Sequence, residues 1–111
     1  MILGSLFQQV KSIFPEEVRK IVKEKRTDEY CLLDVRQPNE YDQVHIPGAK
    51  LIPLAELQSN LNRIQPDRMT IVYCRSGNRR RSGVGILNGA GLEDVYNMEG
   101  GIYSCPCCAG Y

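Results

Sequence analysis

Residues 73–81 read YCRSGNRRR, so Cys74 is followed at once by Arg75, Ser76, Gly77, Asn78, Arg79, Arg80 and Arg81. A thiolate, not a thiol, is the nucleophile, and a free cysteine with its pKa near ~8.5 is mostly protonated at neutral pH. Guanidinium groups and the amino end of a helix both lower that pKa. Ser76 and Gly77 are small enough to let the backbone curl its N–H groups inward into an anion-holding nest at a helix start. Arginines at a helix start oppose the dipole, so their presence needs another cause. Attraction of an anionic substrate beside an ionised sulfur supplies one. The plainer alternative, that Cys74 is only a small buried hydrophobe, leaves the arginines unexplained. It suits Cys31, which stands in an apolar run.

The elements that must hold this loop follow from apolar spacing. The runs Cys31 to Val35, Lys50 to Ile52, Met69 to Tyr73 and Val95 to Met98 are short, β-rich and continuous, the pattern of strands buried on both faces and paired in parallel. Cys74 then ends a strand at the carboxyl edge of the sheet, where open α/β sheets bind ligands. Leu3, Leu6, Phe7, Val10, Ile13 and Phe14 recur at helical spacing and predict an amphipathic opening helix over 1–14. Pro15 with Glu16 and Glu17 starts a second helix, expected to reach about Arg26, with Val18, Ile21 and Val22 inward. A helical turn is expected at Asn39 to Gln43, and a helix at Leu54 to Ile64. After the cysteine loop, a helix is expected from about Arg80 to Ala90. Gly83, Gly85 and Gly89 weaken that last helix by about 1 kcal/mol each relative to alanine, which close packing would offset. Strand and helix alternate, so the fold class is an open, mostly parallel α/β sheet with helices on both faces.

The 111 residues suffice for one compact domain. Fourteen basic and thirteen acidic residues give a net charge of +1, which argues against a nucleic-acid or membrane surface. No spanning apolar stretch and no secretory leader is read, so the expected location is cytoplasmic. Five cysteines, at 31, 74, 105, 107 and 108, do not make a secreted disulfide framework.

Four motifs in order carry a resemblance: LLDVR (Leu32 to Arg36) with Glu40 and Tyr41, HIPGA (His45 to Ala49), VYCRSGNR (Val72 to Arg79) and VYNMEGGI (Val95 to Ile102). Over about Pro15 to Ile102 the chain resembles a single rhodanese domain. The resemblance implies a five-stranded sheet in a domain of residues 15–104, and a sulfurtransferase in which Cys74 carries the sulfur. Its donor would be a small anion such as thiosulfate, or a persulfide. Its acceptor would be cyanide or a thiol, on a small molecule or a protein. Arg75 and Arg79 would clamp the donor, with Ser76, Gly77, Asn78 and Arg80 also in the substrate-binding loop, N–H groups from Arg75 to Arg79 would hold the persulfide sulfur, and no metal or organic cofactor is required. Asp34 and Arg36, at the same sheet edge, would support the loop, with a salt-bridged structural role favoured for Asp34.

Cys74 and Arg80 also satisfy the C-x5-R pattern of cysteine phosphatases and thiol arsenate reductases. Against that alternative, Tyr73 stands where phosphatases usually carry histidine, and Arg81 where Ser or Thr would follow. Neither Asp34 nor Asp42 reads as a general acid. A non-catalytic interaction module of the same fold is the third reading, disfavoured by the intact cysteine loop. His45, within HIPGA, reads as a turn residue held by side-chain hydrogen bonds. Glu99, Gly100 and Gly101 leave the last strand at the active edge, the glycines suggesting close backbone approach. The tail, 105–111, departs from the family, which usually has an aromatic at the position of Cys105. Cys105, Cys107 and Cys108 lack a fourth metal ligand and are read as a candidate sulfur relay from Cys74.

Overall fold

The structure is a computed structural model, and it describes residues 11–25, 28–74 and 78–101, without the side chains of residues 78–82. Five strands form one sheet: β1 (Ser12–Ile13), β2 (Tyr30–Asp34), β3 (Lys50–Leu51), β4 (Met69–Tyr73) and β5 (Val95–Met98). Their order across the sheet is β1-β5-β4-β2-β3, and every pairing is parallel. The helices are α1 (Pro15–Glu24), α2 (Pro38–Gln43), α3 (Leu54–Leu57) with a 3₁₀ continuation (Gln58–Arg63), and α4 (Asn78–Gly89).

Alternation along the strands divides the interior in two. Tyr30, Leu32, Ile71, Tyr73 and Met98 pack with Val18, Ile21 and Val22 of α1 and with Tyr41 and Ile46. Leu33, Val35, Val72, Cys74 and Val95 pack on the other face with Leu57, Ile64, Val84 and Leu87. The connections after β1 and β2 thus lie on one face, and those after β3 and β4 on the other. Connections running in opposite directions along a parallel sheet must lie on opposite faces if all share the same hand. Helices therefore cover both faces, as expected.

Three expectations change. Ser12 and Ile13, the end of the expected opening helix, are extended: Asn97 N–H donates to Lys11 O at 2.9 Å and Glu99 N–H to Ile13 O at 2.9 Å. Pairing with a distant strand overrides the local helical spacing there, while residues 1–10 lie outside the described residues. The expected helix over 54–64 is α-helical only to Leu57 and then tightens. Asn60 donates its side-chain amide to Glu56 O at 2.8 Å and has non-helical φ −123° and ψ 24°, a side chain competing for a helical carbonyl. The helix after the cysteine begins at Asn78, two positions before the expected start, leaving residues 75–77 between it and Cys74. No helix among the described residues is long and apolar enough to cross a membrane.

Of the three glycines of α4, one packs closely. A Cβ on Gly83 would lie 3.1 Å from Val72 Cγ1, whereas at Gly85 and Gly89 it would meet nothing within 4 Å.

Candidate active site

The connection leaving β2 runs outward to β3, and the one leaving β4 runs the opposite way to β5. Between their carboxyl ends lies the point where strand order reverses, the crevice in which open α/β sheets bind ligands. Cys74 lies one residue beyond β4 at this point, and Asp34 ends β2 directly opposite Tyr73 in register. Val35 N–H donates to Tyr73 O at 3.2 Å, fixing the peptide that leads into the cysteine.

Although they share this edge, Cys74 and the Asp34–Arg36 pair lie on opposite faces. Cys74 packs among Val72, Val84 and Leu87, and it is 2% exposed. Asp34 and Arg36, 0% and 3% exposed, form a bidentate ion pair on the Tyr73 side. Arg36 Nε donates to Asp34 Oδ1 at 3.0 Å and Arg36 Nη2 to Asp34 Oδ2 at 2.8 Å, while the Arg36 amide caps Oδ1 at 2.9 Å. Nη2 also donates to Val44 O at 2.6 Å, tying the segment before HIPGA to the sheet. The salt bridge expected for Asp34 is present, on the face of the sheet opposite Cys74.

Tyr73 is the hub that sequence reasoning missed. Its hydroxyl accepts from Ile46 N–H at 3.1 Å and is hydrogen-bonded to the Asp34 side chain, and the Arg36 guanidinium stands 5.7 Å from its ring centre. Burial, reinforced by the neighbouring Asp34 carboxylate, pushes the phenol far above its ordinary value, so it stays neutral. The available signal was a tyrosine closing a buried strand, because a buried hydroxyl needs partners.

The HIPGA turn is built as expected. His45 Nδ1 donates to Tyr41 O at 2.7 Å, and its ring stacks on Tyr41 with centroids 3.8 Å apart. The Tyr41 hydroxyl donates to Ala49 O at 2.7 Å, and Gly48 turns the chain at φ 84°. At the end of β5, Gly100 and Gly101 have φ of 78° and 67°, so left-handed backbone explains the glycine pair.

Cys31 is half-buried in β2. Burial pushes its thiol up, with Lys50 and Arg68 pulling partly the other way, so it is protonated at neutral pH. Arg75, Ser76 and Gly77 lie outside the described residues, as do Cys105, Cys107 and Cys108 and the side chains of Asn78, Arg79 and Arg80. The backbone of residues 78–80 forms the first turn of α4, whose amino end thus follows Cys74 after a very short link.

The profile of the Rhodanese-like domain family matches residues 14–105. The chain is 34% identical over 103 residues to the uncharacterized protein YqhL of Bacillus subtilis, covering 91% of this chain and 78% of that one. It is 31% identical over 74 residues to the thiosulfate sulfurtransferase GlpE of Pseudoalteromonas translucida, covering 67% of this chain and 70% of that one. Other relatives are longer, and the chain spans 23% of one and 54% of another. Among solved structures, a rhodanese-like domain protein from Staphylococcus aureus superposes with a TM-score of 0.78 at 32% identity, covering 86% of this chain and 90% of that one.

Proposed function

Because the chain belongs to the rhodanese-like domain family, we propose that it is a sulfurtransferase that carries sulfane sulfur on Cys74. The observation that carries this reading is the position of Cys74 past the central strand, at the reversal of strand order and just before the amino end of a twelve-residue helix. Helix-end N–H groups there favour an anion and a thiolate.

The Cys74 thiolate attacks the outer sulfur of thiosulfate. The Cys74 S–S bond forms as the donor's S–S bond breaks, sulfite leaves with the bonding pair, and a Cys74 persulfide remains. An acceptor nucleophile then takes the outer sulfur and returns Cys74 to a thiolate. Covalent catalysis divides one difficult transfer into two easier ones. Arg75 and Arg79 clamp the anionic donor, and loop N–H groups from Arg75 to Arg79 hold the bound sulfur. Asp34, Arg36 and Tyr73 act at one remove, by anchoring the strand end. With Cys74 only 2% exposed, a donor that offers a single terminal sulfur suits the site better than the tetrahedral group a phosphatase or arsenate reductase must seat. A reducing compartment such as the cytoplasm suits a free catalytic thiol.

The test is thiocyanate and sulfite release from thiosulfate and cyanide, with mass spectrometry of the protein after thiosulfate alone. The parent gains one sulfur atom on the peptide holding Cys74 and turns over, and Cys74→Ala does neither. Equal rates in the two proteins, or turnover of arsenate or an aryl phosphate with none of thiosulfate, overturn the reading.

A further inference from the structure

Beside β5, at the same sheet edge as Cys74, Phe14, Pro15, Glu16, Glu99 and Gly100 line an open groove of about 410 Å³. Val72 pairs with Asn97, and Cys74 and Glu99 each lie two residues further on, just past the carboxyl ends of these adjacent strands. They also share a face. Ile13 and Met98 point into the α1 side of the interior, so the alternating residues Ser12, Asn97 and Glu99 belong to the other side, the side of Cys74. Ser12 Oγ donates to Glu99 Oε2 at 2.6 Å, which holds that carboxylate in place.

Phe14 is 60% exposed, the one large apolar side chain so exposed among the described residues. Its backbone is nevertheless fixed: its N–H donates to Glu17 Oε1 at 3.2 Å and its carbonyl accepts from Glu17 N and Val18 N. The groove therefore presents an aromatic ring on a fixed backbone beside the exposed carboxylate of Glu16, with Glu99 at its rim. An anionic donor is repelled there, whereas a lysine or arginine would lay its stem and cationic head against the ring with a carboxylate in reach.

We propose that this groove receives the sulfur acceptor, and that the acceptor is a protein segment whose cysteine is flanked by basic residues. The proposal rests on the sulfur-transfer reading and adds the partner's chemistry: donor and acceptor approach Cys74 through regions of opposite charge. The acceptor thiolate attacks the outer sulfur of the Cys74 persulfide. A new S–S bond forms, the bond to Cys74 breaks, Cys74 departs as a thiolate, and the proton of the persulfide stays on the transferred sulfur, so no oxidant is needed.

The test loads the full chain with thiosulfate and compares discharge by the blocked peptides Lys-Cys-Lys and Glu-Cys-Glu at low salt. The cationic-to-anionic rate ratio is taken within each protein, so a general loss of activity and the peptides' own thiol reactivities cancel between proteins. Glu16→Lys and Phe14→Ala are each expected to lower that ratio roughly three- to tenfold from the parent value. A ratio unchanged in both variants overturns the proposal. Independently of any transfer, Lys-Ser-Lys added to the sulfur-free protein should shift the NMR signals of Phe14 and Glu16, and Glu-Ser-Glu should not; equal shifts also overturn it. If the parent forms no thiocyanate while Lys-Ser-Lys still binds at Phe14, the sulfur-transfer reading fails and the cation-binding groove remains.

Discussion

Replacing Asp34 by alanine removes the carboxylate that forms the buried bidentate pair with the Arg36 guanidinium. Arg36 is 3% exposed and would keep the Val44 carbonyl at 2.6 Å, the face of Tyr73 at 5.7 Å and the more distant charge of Glu40. Breaking a buried pair from one side costs about 3–5 kcal/mol, because the remaining charge is left in the interior. A domain of this size is stable by only ~5–15 kcal/mol, and each kcal/mol moves Tm by roughly 4–8 °C. Asp34→Ala should therefore lower Tm by roughly 15–30 °C. Removing both charges, as in Asp34→Leu with Arg36→Met, should recover most of the loss. Recovery stays incomplete because the Arg36 amide, Val44 O and the Tyr73 hydroxyl each lose a partner, worth about 1 kcal/mol apiece. Urea unfolding followed by far-UV circular dichroism and tyrosine fluorescence measures this in a chain without tryptophan. If Asp34→Ala lies within about 1 kcal/mol of the parent, or the double variant is as unstable as the single one, the pair does not hold this edge.

Tyr73→Phe should cost about 1 kcal/mol by leaving the Ile46 N–H unpaired, and it should also change the alkaline limb of stability. Burial raises the folded Tyr73 pKa, so the parent's stability is full below the ordinary value of ~10 and falls by up to ~1.4 kcal/mol per pH unit above it. The phenylalanine variant lacks that component, and urea titrations between about pH 9 and 11 would then differ in slope; parallel slopes contradict the burial argument. Gly85→Ala fills open, exposed space and should stabilise α4 by about 0.5–1 kcal/mol, whereas Gly83→Ala presses on Val72 and should forfeit that gain or reverse it. A larger Tm for Gly83→Ala than for Gly85→Ala would count against the close packing of α4. Cys31→Ala should leave thiosulfate turnover unchanged, because burial keeps that thiol protonated; mapping iodoacetamide adducts across pH should find Cys31 labelled appreciably only as the pH rises past the ordinary thiol value of ~8.5.

Much of the architecture could be read from local pattern. The buried runs, Pro15 and the alternation of apolar segments predict strands and helices from short-range physics, and Cys74 at the end of a strand follows from where Met69 to Tyr73 stops. Ser12–Ile13 defied that reading because a two-residue edge strand is defined by Asn97 and Glu99 more than eighty residues away. The face on which each side chain lies also depends on tertiary contacts. By strand ends alone Asp34, Arg36 and Cys74 are expected to be neighbours, yet register and alternation put the ion pair behind Tyr73 and the thiol on the other face. Residue types and their order determined what chemistry the cysteine loop offers; only the folded sheet decided which residues stand beside it, since parallel pairing joins strands that share no local sequence.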